Sequence, residues 1–316
     1  MKKILEQINR ADRIALYTHI LPDGDAIGSL FAMGMCLKKL GKQVDLYINE
    51  KIPLRLEFLA QMANLDYYVQ PAAESYDLCL SLDCGDTGRL GSYKDQFEAG
   101  AVTANVDHHV SNTAFAAYNY VDSAACSTGE IVYQLIMQLN VPWDKNMAGL
   151  VYAAIASDTG CFVFSNTNEK AHLYAADLLK HGAEVAQINK LLFNTNDLNS
   201  LRVRAYAIDH IEFYFKGKVA VVLLTKEILD SLDASDEDAE GLTDLPRSVR
   251  GVEVGIVVRE WKGKTKVSLR TNQFIDASAI AAHFGGGGHV KAAGCTTELD
   301  VWQTRDQLIE ILEELF

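Results

Sequence analysis

The chain has 316 residues, 49% of them apolar, and a formal net charge of −13. That length accommodates two domains, each with its own core. So acidic a balance excludes a non-specific grip on long duplex DNA, which depends on neutralising many phosphates, and no apolar run approaches the roughly 20 residues that span a bilayer.

The first residues, Met1-Lys2-Lys3-Ile4-Leu5-Glu6, hold no signal-peptide core and read as an amphipathic helix. Residues 14–18 predict a strand and 25–40 a helix, closed by Gly41 as a C-cap. A strand over 44–49 precedes a helix over 53–62 that opens with proline. Strands follow at 77–82 and 102–106, with a short edge strand at 117–121. Ser127-Thr128-Gly129-Glu130 carries a capping-box pattern before a helix over 131–139. Further helices fit 144–157, 169–180, 184–193 and 198–213, the last as a connector. After Lys216-Gly217-Lys218 the pattern changes. Residues 219–224 form a strand, and 252–260 with 264–270 form a hairpin around Trp261-Lys262-Gly263. A short helix over 276–284 with Asp276 as N-cap, the run Gly285-Gly286-Gly287-Gly288-His289 and a terminal helix over 302–315 complete the chain.

The fold class this predicts is α/β. An N-terminal domain over 1–195 has a mainly parallel sheet with helices on both faces. A helical linker covers 196–214, and a smaller C-terminal α/β domain covers 215–316. The six cysteines include no CxxC pair, which fits a reducing cytosol rather than a disulfide framework. Charge is uneven. Residues 226–246 hold eight acids against one lysine, and 247–291 hold eight Lys and Arg against three acids. A local basic patch suits a small phosphorylated ligand; two solvated faces are the alternative.

Residues with ligand chemistry recur where apolar runs end. Tyr17-Thr18-His19 and Pro22-Asp23-Gly24-Asp25 follow the first run. Asp83 ends the second, Asp107-His108-His109 end the third, and Asp158 follows the apolar segment 150–156. Imidazole with carboxylates suits manganese, zinc, iron or cobalt better than calcium or magnesium alone. Strand ends of this kind converge on one edge of a parallel sheet, where such sheets place their ligands. Pro-Asp-Gly-Asp is also a good turn, and Asp25 a ready N-cap. Adjacent histidines face different ways, so one of the pair is free for a metal and the other for substrate. Asp158, after a long apolar helix, is costly unless paired or metal-bound. The neighbouring Phe162-Val163-Phe164 reads as core rather than as a base-stacking platform. In the second domain, Gly286, Gly287 and Gly288 let backbone approach an anion. A helix starting near Val290 would add its positive end. With His289 and Arg270 they form a candidate phosphate clamp.

In this order, these residues resemble the DHH–DHHA1 phosphoesterase family. His19-x3-Asp23-x-Asp25-Ala26 is similar to its first motif, Asp83 to its second, Asp107-His108-His109 to the motif that names it, and Asp158 to its fourth. Gly285 to Gly294 is similar to the GGGH signature of the DHHA1 domain, so the resemblance runs from about residue 14 to 295. Length and domain content are most similar to the oligoribonuclease (nanoRNase) branch. Many of its members also dephosphorylate 3′-phosphoadenosine 5′-phosphate (pAp). The resemblance implies two divalent ions, usually manganese. His19, Asp23 and Asp83 would hold the first, and Asp25, Asp83, His108 and Asp158 the second. Asp83 would bridge them and His109 would face the scissile phosphate. A water activated between ions about 3.5–4 Å apart would attack phosphorus in line.

Rival readings differ in single features. A manganese inorganic pyrophosphatase has a similar metal site but a lysine- and arginine-rich loop absent here. A processive single-strand DNA exonuclease wants a longer basic groove and an added OB-fold. A phosphodiesterase for linear or cyclic dinucleotides of the pApA type differs only in substrate. A non-catalytic nucleotide-binding module conflicts with the full set of ligand residues. The partners expected are short RNA or nucleotides, with no long duplex DNA and no membrane. A homodimer is left open, and the expected location is cytoplasmic.

Overall fold

In the computed structural model, which describes residues 1–71 and 74–316, the chain divides into two units, Met1–Thr195 and Asn196–Phe316. The first unit contains α1 (Lys2–Arg10), β1 (Arg13–Tyr17), α2 (Gly24–Lys39), β2 (Gln43–Tyr47), α3 (Glu57–Ala63), β3 (Leu78–Leu82), α4 (Lys94–Glu98), β4 (Thr103–Asp107), β5 (Tyr118–Val121), α5 (Thr128–Leu139), α6 (Lys145–Asp158), α7 (Glu169–Lys180) and α8 (Val185–Phe193). All strand pairs are parallel, in the order β2-β1-β3-β4-β5. Alternate side chains of a strand face opposite ways. Ile14, Leu16, Leu80 and Val106 therefore join one core with α1, α2, α5 and α6. Ala15, Tyr17 and Cys79 meet Leu90, Tyr93 and Phe97 on the other side. Both faces are covered, as the alternating pattern predicts. Strand order reverses between β1 and β3, and open α/β sheets hold ligands beyond the carboxyl ends of strands at such a reversal.

Glycines set the close approach of α2 to α6. A Cβ at Gly24 would lie 2.5 Å from Ser157 Oγ, and one at Gly28 2.6 Å from Leu150 O. The contact brings the first turn of α2, which carries Asp25, beside the last turn of α6, which carries Asp158. Gly41, at φ +79°, closes α2 as expected. Its N–H donates to Lys38 O and the Lys42 N–H to Leu37 O, the paired bonds of a Schellman motif. At the other end Asp23 is the N-cap, accepting from the N–H groups of Asp25 and Ala26, so Asp25 is not spent on capping its own helix. The capping box at 127–130 is half made. Ser127 accepts from Glu130 N–H, but the Glu130 carboxylate accepts from Cys126 N–H. The Phe162–Phe164 run, read as core, splits. Phe162 packs on the core with Tyr152 and His172, whereas Val163 and Phe164 are exposed.

The second unit contains α9 (Leu198–Asp209), β6 (Glu212–Tyr214), β7 (Val219–Leu224), α10 (Lys226–Ser231), β8 (Val254–Trp261), β9 (Lys264–Thr271), α11 (Ala277–Ala282), β10 (Gly287–His289), β11 (Ala292–Thr297) and α12 (Val301–Glu313). Its sheet runs β10-β11-β9-β8-β7-β6, mixed, with β7 and β8 parallel. Helices α11 and α12 cover one face, α9 and α10 the other. The β8–β9 hairpin turns through Lys262 and Gly263, at φ +51° and +78°, the conformation that matches strand twist in two-residue loops. Two expectations are corrected. The helix over 198–213 stops at Asp209, because 212–214 pairs with β7. No helix begins near Val290. That segment turns from β10 into β11, whose six residues all pair with β9. The glycines admit this hairpin: a Cβ at Gly286 would collide with Gly294 O, and Gly288 sits at φ +146° against Ala292 O.

Candidate metal centre

Each ligand-type side chain of the first unit owes its place to an element end. His19 follows β1, Asp83 follows β3, and His108 and His109 follow β4. Asp23 and Asp25 open α2, and Asp158 ends α6. Asp83 takes a left-handed turn, φ +58°, which aspartate tolerates better than most residues. Among the described residues three overlapping groups result, each with ligand atoms within 4.8 Å of one another. They are His19, Asp23 and Asp83; Asp25, His108 and Asp158; and Asp83, His108 and His109. Asp83 belongs to two of them. His19 Nε2 lies 3.4 Å from Asp83 Oδ2, and His108 Nε2 3.7 Å from Asp83 Oδ1 and from Asp158 Oδ2.

A second layer holds these groups, and sequence reasoning missed most of it. Asp25 accepts from the N–H groups of Thr128 and Gly129 at 2.7 and 2.8 Å and from Ser29 Oγ at 3.1 Å. It therefore caps α5, a helix other than its own. Thr128 Oγ1 donates to Asp83 at 2.9 Å. Asp107 belongs to none of the three groups but supports one of their members. Its Oδ1 lies 2.7 Å from His109 Nδ1, and its Oδ2 accepts from Asn112 at 2.6 Å. Asn166 donates to both the side chain and the carbonyl of Asp158. The signal for Thr128 and Gly129 was in the capping pattern at 127–130, which sequence alone ties to its own helix.

The electrostatics fit a cation. Burial, then the charges of Asp83, Asp158 and Asp23, push the Asp25 carboxyl well above the ordinary range. Burial likewise raises Asp158 to about 7. Asp83 goes the other way: burial opposes its ionisation, but hydrogen bonding and charge from His19, with the other two imidazoles, outweigh it. Burial also works against charge on His109, yet the Asp107 hydrogen bond and the nearby carboxylates raise the ring to about 9. Carboxylates packed against one another in a buried place need a compensating charge. The mixed oxygen and imidazole donors suit a divalent transition metal.

Stripped of metal, the protein should therefore lose stability as pH rises. Asp158 holds its proton in the folded chain up to about pH 7 but releases it near pH 4 when unfolded. The native state binds more protons between those values, so its stability falls across that window. Asp158→Asn removes this contribution. Its melting temperature with chelator present should match wild type at pH 4 and exceed it at pH 7.5. An equal difference at both values refutes the effect.

In the second unit the register aligns His289 on β10 with Ala292 on β11, and Ala292 with Arg270 on β9. Residues in one row share a face. His289 and Arg270 thus stand two strand spacings apart, about 10 Å, across a small alanine. The guanidinium is half-buried, 3.8 Å from Asp244 Oδ1, and Asp244 also accepts from Arg247 at 2.6 Å.

The DHH family, N-terminal domain, matches residues 13–155, and the DHHA1 domain matches residues 216–316. A Thermus thermophilus protein named bifunctional oligoribonuclease and PAP phosphatase NrnA is 32% identical over 95% of this chain and 89% of its own. Its Bacillus subtilis namesake is 26% identical over 99% and 97%. The crystal structure of an exopolyphosphatase-related protein from Bacteroides fragilis superposes with a TM-score of 0.89 at 25% identity, covering 99% of this chain and 96% of that one. The two domain matches in sequence, with 32% identity to a relative over nearly the whole chain, leave one assignment: the chain belongs to the DHH family, with a DHH domain followed by a DHHA1 domain.

Proposed function

We propose that this protein is a metal-dependent phosphoesterase that hydrolyses short oligoribonucleotides to mononucleotides and pAp to AMP, with manganese as its ion and the cytoplasm as its location. The reading is carried by the donor cluster around Asp83, present in a chain whose 32% identical relative bears the NrnA name. No described helix is long and apolar enough to cross a membrane, and all six cysteines are free thiols.

His19, Asp23 and Asp83 are assigned to one ion, and Asp25, Asp83, His108 and Asp158 to the other. Divalent ions held there would supply an acidified water and neutralise charge on phosphate oxygens. The protein's own part is to fix the donors and to manage protons. The α5 N-terminus holds Asp25, Thr128 holds Asp83, and Asn166 holds Asp158. Asp107 holds His109 through Nδ1, and the ring is assigned to give a proton to the leaving oxygen and to stabilise charge there. In the second unit Arg270, His289 and the backbone at Gly286, Gly287 and Gly288 take a further phosphate of the substrate. Phosphate release from pAp, and mononucleotide release from RNA dimers and pApA, each with and without manganese, tests the whole reading. No release from any of them removes it.

Arg270→Ala should lower kcat/KM for pAp and short oligonucleotides roughly ten- to a hundredfold, the loss of one charge-assisted bond of about 1.5–3 kcal/mol. Bis-p-nitrophenyl phosphate has no second phosphate and should be cleaved as before. Equal losses on both substrates would move Arg270 to the reacting phosphate; no loss on either would leave it a surface residue.

A further inference from the structure

Arg89 stands against the donor cluster without belonging to it. It lies in the turn after β3 and is fixed there on several sides. Asp86 Oδ1 accepts its N–H at 3.1 Å, and its carbonyl accepts from Ile20 N–H at 2.8 Å. Asn49 ties down the neighbours, donating to Leu90 O and accepting from Ser92 N–H. Gly91, at φ +59°, lets these segments meet, since a Cβ there would collide with Asn49 and Ile20. The side chain is half-buried, and among the described residues no carboxylate pairs with it.

Its guanidinium Nη2 lies 2.8 Å from His19 Nδ1. The same ring nitrogen lies 2.7 Å from Ile20 O. One imidazole nitrogen cannot donate to a carbonyl and accept from a guanidinium at once. Donation to Ile20 O puts the proton on Nδ1 and leaves the lone pair on Nε2, the nitrogen that faces Asp83 and that a metal ligand needs. In that arrangement His19 offers Arg89 no acceptor. A guanidinium then stands at the edge of the centre with its donors unspent, where an anion must arrive for the chemistry to occur.

We propose that Arg89 is a phosphate-binding residue of the reaction centre, donating to a non-bridging oxygen of the reacting phosphate. The inference rests on the hydrolase reading above and deepens it. A guanidinium matches two phosphate oxygens at once, which an ammonium does not.

The test uses full-length protein at saturating manganese, with Arg89→Gln and Arg89→Lys. AMP affinity by calorimetry and kcat/KM on both pAp and bis-p-nitrophenyl phosphate should fall roughly ten- to a hundredfold in the glutamine variant. The lysine variant should fall less, and metal stoichiometry should be unchanged in both. Loss on the small diester separates Arg89 from Arg270. AMP affinity equal to wild type overturns the inference. So does a loss that disappears as manganese is raised, since Arg89 would then only brace His19. If Arg89→Gln fails to fold, Arg89→Lys carries the test with the same criteria. A wild-type protein that cleaves no phosphoester but binds AMP through Arg89 removes the hydrolase reading and keeps the anion site. An active wild type with Arg89-independent binding removes this inference alone.

Discussion

Asp83→Ala is expected to abolish hydrolysis and to disrupt both metal sites in a chain that still folds. Asp83 is the carboxylate common to the group with His19 and Asp23 and the group with His108 and His109. Losing it deprives each ion of an oxygen, whereas losing Asp23 deprives mainly one. Folding should survive, because the pairing lost between Asp83 and the imidazoles is offset by relief of Asp25 and Asp158 from its charge in the metal-free chain. The cost to the fold is the left-handed backbone at 83, about 1–2 kcal/mol for alanine, and the lost partner of Thr128 Oγ1. Asp83→Asn, which tolerates that backbone, is the companion variant. Manganese titration by calorimetry decides the matter: two undiminished sites in Asp83→Ala would sink the bridging assignment.

The two adjacent histidines should separate by role. His109→Ala is expected to lower kcat by about 10²–10⁴-fold, the range for removing a positioned acid or base, with metal stoichiometry intact. His108→Ala should lose a metal. Their rings, 4.6 Å apart at an angle of 59°, share Asp83 at 3.7 Å but differ otherwise: His108 Nε2 also faces Asp25 and Asp158, while His109 Nδ1 lies 2.7 Å from Asp107 Oδ1. The opposite outcome, a metal lost with His109 and kept without His108, means the roles are reversed.

Much of this was legible because the signals are local. Strands β1, β3 and β4 are short apolar runs, and a residue directly after such a run lies at the strand end whatever the rest of the fold does. Asp276 and Gly41 announced their caps for the same reason. Failures came where a partner distant in sequence decides. The segment after Gly288 reads as a helix start until β9 offers it a complete row of pairings. Asp25 reads as a cap for its own helix until α5 docks on it from more than a hundred residues away. Asp107, placed between a strand and two histidines, gave no hint that it serves His109 rather than an ion. Arg89 gave no signal in the sequence, because only the folded chain brings it beside His19.

The crossing bond between Asp25 and the head of α5 has a consequence for synthesis. A nascent chain emerging through β5 already contains β1 to β5 and most ligand residues, but neither the amides that hold Asp25 nor Asp158. The donor set cannot be complete until α6 has been made and has docked, about half way along the chain. Before that point any ion would meet a partial set, first with Asp25 unheld until α5 has formed and then without Asp158. Only with α6 in place do all the donors of the cluster stand together. Pairings this distant in sequence also form late when a released chain folds.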